Sequence, residues 1–241
     1  MSGHSKWSTI KRAKAVTDQR RGNLFTKLSK NISLAAKQGG GDQEMNFKLR
    51  LAVDKAKSSN MPNDNIERAI KRGTGELKDM ILEEVIYEGY GPDGIAIIIE
   101  IATDNKNRSA SAIRSIFTKN NGNLGNSGSV LWMFAQKGII RILKENIRDK
   151  DEFELKVIDN GAEDIIEEEE GFAILSEISS FQKLKEYIEK ENIHSESADI
   201  EMIPNDKIKI SDEKTITKLQ KLFDELEENE DVNNFYTNAD F

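Results

Sequence analysis

Apolar residues recur along the chain with two different periods, and the change from one to the other divides it. Leu24, Phe25, Leu28, Ile32 and Ala35 fall on one face of a helix over about Leu24–Gln38, which Gly39-Gly40-Gly41 stops. A second helix is expected over about Gln43–Ser58, with Phe47, Leu51 and Val53 inward. A third starts near Pro62, sets Ile66, Ala69 and Ile70 at i, i+3 and i+4, and ends at Gly73. Each stripe is short, so the three helices must pack on one another to be stable. Residues 1–23 carry no sustained apolar period and read as a tail.

From Leu82 onward strands and helices mix. Ile95–Ala102 reads as a buried strand, Asn107–Asn120 as a helix with Ala110, Ile113 and Phe117 inward, and Ser129–Phe134 as a strand. Far downstream come a strand at Lys207–Ile210, a helix over Asp212–Asn229 and a strand at Val232–Tyr236. The segment between them spells the same order alone. Its strands are Ile139–Leu143, Asp164–Glu168, Phe172–Ser176 and Ala198–Ile203, and its helices are Asp151–Asn160 and Ser179–Glu191. The pattern predicts an α+β fold: an N-terminal helical domain, then two β-α-β-β-α-β (ferredoxin-like) domains, one nested within the other. The domains expected are 1–78, 79–136 with 205–241, and 137–204.

Charge sharpens this division. The net charge is −8, but residues 1–78 hold 17 Lys and Arg against 7 Asp and Glu, a net of +10. The rest holds 18 against 36, a net of −18. An acidic body repels polyanions, so nucleic acid is expected to meet the basic third. With no cysteine there is no disulfide framework, thiol nucleophile or Cys-ligated zinc. The first seven residues lack the apolar core of a signal peptide, and Ile95–Ala102 is too short to span a bilayer, so a cytoplasmic protein is expected.

Several motifs invite chemistry and do not hold it. Gly89-Tyr90-Gly91-Pro92-Asp93-Gly94 matches G-x-G-x-x-G, but a strand follows where a dinucleotide site needs a helix N-terminus, so it reads as a turn between strands. Gly39-Gly40-Gly41 lacks the Lys-Ser/Thr of a phosphate loop. The loop Gly122–Gly128 offers backbone N–H groups to an anion, although it reads better as a plain turn. The acidic run Glu163–Glu170 reads as a solvated hairpin, and His4 and His194 have no partner set for catalysis or metal. Asp18, Asp42 and Asp54 are too scattered for a nuclease centre. No cofactor, metal or enzymatic activity is expected.

The tail is more informative. Trp7 stands among Lys6, Lys11 and Arg12, where an indole can stack on an unpaired base while cations neutralise phosphates. It can equally plug the tail onto the body. The third helix, carrying Asn63, Asn65, Arg68, Lys71 and Arg72 directly after the second, has the character of a recognition helix.

At these residues the chain closely resembles the YebC/PmpR family. The resemblance rests on Gly3-His4-Ser5-Lys6-Trp7, Arg21-Gly22-Asn23-Leu24-Phe25-Thr26-Lys27, Gly39-Gly40-Gly41-Asp42 and Asn60-Met61-Pro62. It continues in Tyr87-Glu88-Gly89-Tyr90-Gly91-Pro92, Asp104-Asn105-Lys106-Asn107-Arg108, Gly122-Asn123-Leu124-Gly125, Gly128-Ser129-Val130 and Tyr236-Thr237-Asn238. Lys106 departs from a common Arg, and Asn121 from a common Gly. The resemblance implies three domains and a role in gene expression without catalysis. Some members are described as DNA-binding transcriptional regulators, and others, including a mitochondrial relative, act in translation on ribosomes. The contacts expected are His4, Lys6, Trp7, Lys11, Arg12, Lys14, Arg20 and Arg21 in the tail, Lys27 and Lys30 in the first helix, and Arg68, Lys71 and Arg72 in the third. The partner is nucleic acid, either DNA or ribosomal RNA. No membrane or small-molecule substrate is expected, and self-association stays open.

Overall fold

The computed structural model describes residues 18–77 and 82–241, with side chains from residue 21. They form two compact units, one running to residue 134 and resuming at 204, the other spanning 135–203.

The first unit opens with three helices, α1 (Asp18–Gly39), α2 (Phe47–Ser58) and α3 (Asn63–Gly73). Their shared core holds Leu28, Ile32, Leu49, Val53, Met61, Ile66 and Ala69. Gly40, at φ +86°, ends α1 in the left-handed conformation that a side chain resists. Asn46 then joins two helices. Its Oδ1 accepts from Leu49 N, while its amide donates to Ala35 O and Gly40 O, both at 2.8 Å. Between α1 and α3 the backbones nearly touch. A Cβ on Gly73 would lie 2.3 Å from Ser33 O, and Ser33 Oγ donates to Ala69 O at 2.8 Å.

The tail was expected to run to residue 23, but α1 begins at Asp18. Its first turns are polar and Arg21 and Gly22 are exposed, so no apolar stripe marks the start.

The sheet of this unit has the order β3-β1-β2-β9, built from β1 (Glu83–Tyr90), β2 (Ala96–Thr103), β3 (Asn123–Leu124) and β9 (Val232–Thr237). The Gly-rich run closes the β1–β2 hairpin, with Gly91 N donating to Ile95 O at 2.8 Å. Helices α4 (Lys106–Lys119) and α7 (Glu213–Glu228) cover one face. Ile97, Ile99 and Ile101 meet Ile113, Phe117, Leu219, Leu222, Phe223 and Leu226 there. Asn121 adopts φ +59°, the left-handed conformation that glycine takes without cost and asparagine tolerates.

Two elements differ from the sequence reading. Ser129–Phe134 is not a strand: Leu131–Met133 is a single 3-10 turn. The cause is Glu88 on β1, a buried carboxylate that accepts from Gly128 N at 2.6 Å and from Val130 N and Leu131 N at 2.8 Å. Those N–H groups are then unavailable to a ladder. Lys207–Ile210 contributes only β8 (Ile208–Lys209), which pairs in parallel with β10 (Ala239–Asp240) outside the main sheet. The place in the main sheet is taken by β1.

The second unit follows the β-α-β-β-α-β order directly: β4 (Phe134–Leu143), α5 (Lys150–Asp159), β5 (Ala162–Glu167), β6 (Gly171–Ser176), α6 (Ile178–Lys190) and β7 (Ser197–Pro204), with sheet order β5-β6-β4-β7. Arg141 and Glu201 pair across β4 and β7 at 2.8 and 3.1 Å, both buried. Two acids of the acidic run pair with lysines: Glu163 with Lys137, and Glu167 with Lys144 and Lys150, which hold the Glu167 carboxyl down to about 2. The fold is therefore α+β, N-terminal helices followed by two antiparallel sheets with two helices each. The insertion leaves and re-enters at one point of the first unit, where Asn205 N donates to Met133 O at 2.8 Å.

Asp231, in the turn before β9, ties the first unit together. Its carboxylate accepts from Lys30 of α1 at 2.8 Å, and from Ser109 at 2.7 Å and Arg108 at 3.3 Å at the start of α4. Burial raises its pKa, but these donors outweigh burial and hold it below the ordinary aspartate value. A depressed folded-state pKa gives stability that is present above the unfolded value, near 4, and lost as pH falls through the folded one. Asp231→Asn should cost about 1–3 kcal/mol at pH 7. Thermal melts from pH 7 down to 3 should show its melting deficit closing as the wild-type carboxylate protonates.

Glu88 generates a second expectation. Burial works against its charge, yet the three N–H donors bring its pKa below the usual value. Glu88→Gln sets an amide NH2 against backbone donors. Hydrogen exchange at Gly128, Val130 and Leu131 should accelerate on the order of tenfold, with the β1–β2 ladder amides unchanged.

Candidate nucleic-acid interface

The sequence-predicted contacts separate into three groups. His4, Lys6, Trp7, Lys11, Arg12 and Lys14 lie outside the described residues. Arg20 and Arg21 fall in the first turn of α1, where Arg21 is exposed.

Lys27 and Lys30 lie further along the same helix and face the body. Lys27 donates to Glu227 O at 2.5 Å, and burial pushes its ammonium down to about 8 against the pull of Glu227. Lys30 donates to Glu230 O at 3.0 Å as well as to Asp231, its side chain only 16% exposed. Both ammonium groups thus fasten α1 to the C-terminal end of α7 and the turn that follows it. Nothing in their sequence setting distinguishes them from the cations before them.

Arg68, Lys71 and Arg72 are brought together. Spaced i, i+3 and i+4 on α3, they share the side opposite Ile66 and Ala69, which pack into the helical core. Arg68 and Lys71 are exposed and Arg72 is half-buried. The close contact of Gly73 and Ala69 with Ser33 sets the rotation of α3, so the same packing that buries the apolar side presents the cations to solvent. Lys71 and Arg72 also fall in the last turn, where the helix dipole favours positive charge.

The sequence reading missed a feature of the Gly-rich loop. In the Gly122–Gly128 loop the Gly128 N–H serves an anion of the protein itself, the Glu88 carboxylate, which also takes Val130 N and Leu131 N just beyond the loop, while Gly122 N and Gly125 N donate to the backbone carbonyls of Phe117 and Glu88. The turn so held carries Trp132 outward, 68% exposed, with the indole N–H donating to Ser129 O at 3.1 Å. The signal was a glutamate inside an apolar strand pattern, whose partner cannot be read from spacing. Among the described residues no group of three or more His, Asp or Glu is placed to hold a metal ion, and no helix is long and apolar enough to cross a membrane.

Residues 5–76 match the TACO1/YebC protein N-terminal domain, and residues 82–239 match the TACO1/YebC second and third domain. A protein of Syntrophomonas wolfei named "Probable transcriptional regulatory protein" is 52% identical, over 99% of this chain and 96% of its own. One of Thermoanaerobacter pseudethanolicus, named in the same words, is 53% identical over 100% of this chain and 97% of its own. The crystal structure of a conserved hypothetical protein from Aquifex aeolicus superposes with a TM-score of 0.88 at 43% identity, covering 98% of this chain and 97% of the other. With both halves matched in order and half of all positions identical to full-length relatives, the chain belongs to the TACO1/YebC family.

Proposed function

We propose that the protein is a non-enzymatic, DNA-binding regulator of transcription that acts in the cytoplasm and grips duplex DNA through its basic N-terminal third. The observation that carries this reading is the segregation of charge, +10 over residues 1–78 against −18 over the rest. Phosphate contacts from Lys and Arg supply most of the affinity for a polyanion, and an acidic body turns the basic third toward it. The relatives' names, which describe transcriptional regulators, support the same reading.

Lys6, Lys11, Arg12, Lys14, Arg20 and Arg21 neutralise phosphates, with His4 beside them. Arg68, Lys71 and Arg72 meet the duplex along the outer side of α3. Lys27 and Lys30 keep α1 on its base and act through position.

One observation favours a second reading, a ribosome-associated translation factor bound to ribosomal RNA. Trp7 lies among cations, and an indole finds an uncovered base face in folded RNA but none inside a duplex. The two readings separate by titration against duplex DNA and a folded RNA. For DNA, with about six phosphates neutralised, log K should fall against log salt with a slope on the order of −5. Arg68→Ala and Lys71→Ala should then weaken binding with no change in melting, and Trp7→Ala should be silent. A loss of about 1–3 kcal/mol for Trp7→Ala on RNA, with duplex binding untouched, would overturn the DNA reading.

A further inference from the structure

Helix α4 does not share the charge of the body that carries it. Its fourteen residues include Lys106, Arg108, Arg114 and Lys119 and no acid, within a segment whose net charge is −18. The cations at its two ends are used differently. Near the N-terminus Lys106 pairs with Glu83, and Arg108 pairs with Asp104 at 2.7 Å and with Asp231. Toward the C-terminus Arg114 makes no ion pair or side-chain hydrogen bond among the described residues, and Lys119 comes only within 3.9 Å of Glu225. Together with Ser111, Ser115 and Thr118 these two cations line a shallow open depression. All five side chains are exposed, while Ile113 and Phe117 on the opposite side are fully buried in the core.

We propose that this outer side of α4 is a second contact for the phosphate backbone of duplex DNA, separate from the basic N-terminal third. The inference rests on the DNA-binding reading and adds a surface to it. Arg114 presents a guanidinium fork that fits a phosphate in bidentate fashion, Lys119 adds a point charge, and the three hydroxyls donate to phosphate oxygens. From residue 111 to 119 the helix rises about 12 Å, a length that serves successive phosphates of one strand. The depression is shallow and open, and the polar groups along it are hydroxyls, a guanidinium and an ammonium, which suit phosphate oxygens, so it reads backbone and not sequence. Continuity supports the same occupant. Asp231 holds Lys30 of α1 and Arg108 of α4 with one carboxylate, so the basic N-terminal helix and this helix meet at one point.

The test is salt titration of the full chain with a duplex of about thirty base pairs and, in parallel, a folded RNA. Arg114→Glu combined with Lys119→Glu should weaken duplex binding on the order of tenfold or more near 0.1 M salt, and should flatten the log–log slope by about 2. The neutral pair Arg114→Gln and Lys119→Gln should give an intermediate loss, and thermal melting should be unchanged for both. Charge reversal at Lys11, Arg12 and Lys14 provides the comparison, because it tests the N-terminal grip alone. If that reversal weakens duplex binding and the α4 variants leave affinity and slope unaltered, this inference falls and the proposed function stands. A wild-type chain that binds no duplex removes both. α4 variants that lose folded RNA and keep duplex overturn DNA as the occupant.

Discussion

One carboxylate sets the frame of the first unit. The backbone carbonyl of Asp231 accepts from Ala102 N at 2.9 Å, just past the point where the β2–β9 register shifts, so the residue is fixed to the edge of the sheet before its side chain makes any contact. Its carboxylate then takes an ammonium from α1 and a hydroxyl and a guanidinium from α4. Ser109 has one proton to give. Because the Asp231 carboxylate can only accept, the consistent arrangement has Ser109 donating to Asp231 and Thr103, which accepts from Asn105 N, donating to Ser109. The chain of donors ends on the one group with a full negative charge, where a hydrogen bond is strongest. The direction of α1 against the sheet follows from this turn.

Three half-buried or buried acids on the same sheet show how donor number decides the state of a carboxylate. Glu88 has three backbone donors and Asp231 has three side-chain donors, and in both the charged form wins against burial. Glu100 has the Asn234 amide at 3.0 Å and the Tyr236 hydroxyl at 3.3 Å, and burial wins, raising its pKa. The first two therefore stay anionic at neutral pH and organise structure around them. Glu88 organises a turn and Asp231 the junction of two helices. Part of the chain's acidity is in this way internal scaffolding.

What the sequence disclosed follows from how local each signal is. The stripes in α2, α3, α4 and α7, and every element of the inserted unit, are amphipathic patterns that a chain displays whatever its partners are, and they emerged with shifted ends. The start of α1 was hidden because residues 18–23 bury nothing apolar. The 129–134 segment has strand-like composition, yet its conformation is decided by an acid forty residues away. The roles of Lys27 and Lys30 were hidden for the same reason, since their partners lie some 200 positions further on. On the candidate interface, Arg68, Lys71 and Arg72 were legible as one cluster because helical spacing alone groups them.

The contrast between α4 and its surroundings bears on how net charge should be used. Summed over residues 79–241, the body is strongly acidic, and on that basis alone it would repel a polyanion. Screening in physiological salt acts over about 8 Å, so a phosphate at the surface of α4 responds to the few charges within that distance. There it finds Arg114 and Lys119 with hydroxyls between them and the Glu225 carboxylate 3.9 Å from Lys119, while Glu83, Asp104 and Asp231, toward the other end of the helix, are paired with cations. The segment sum governs the field felt from far away; the local set governs what a polyanion would meet in contact. A chain with a net charge of −8 can therefore present two separate cationic faces to one polyanion, provided that the acids beside them are neutralised within the fold.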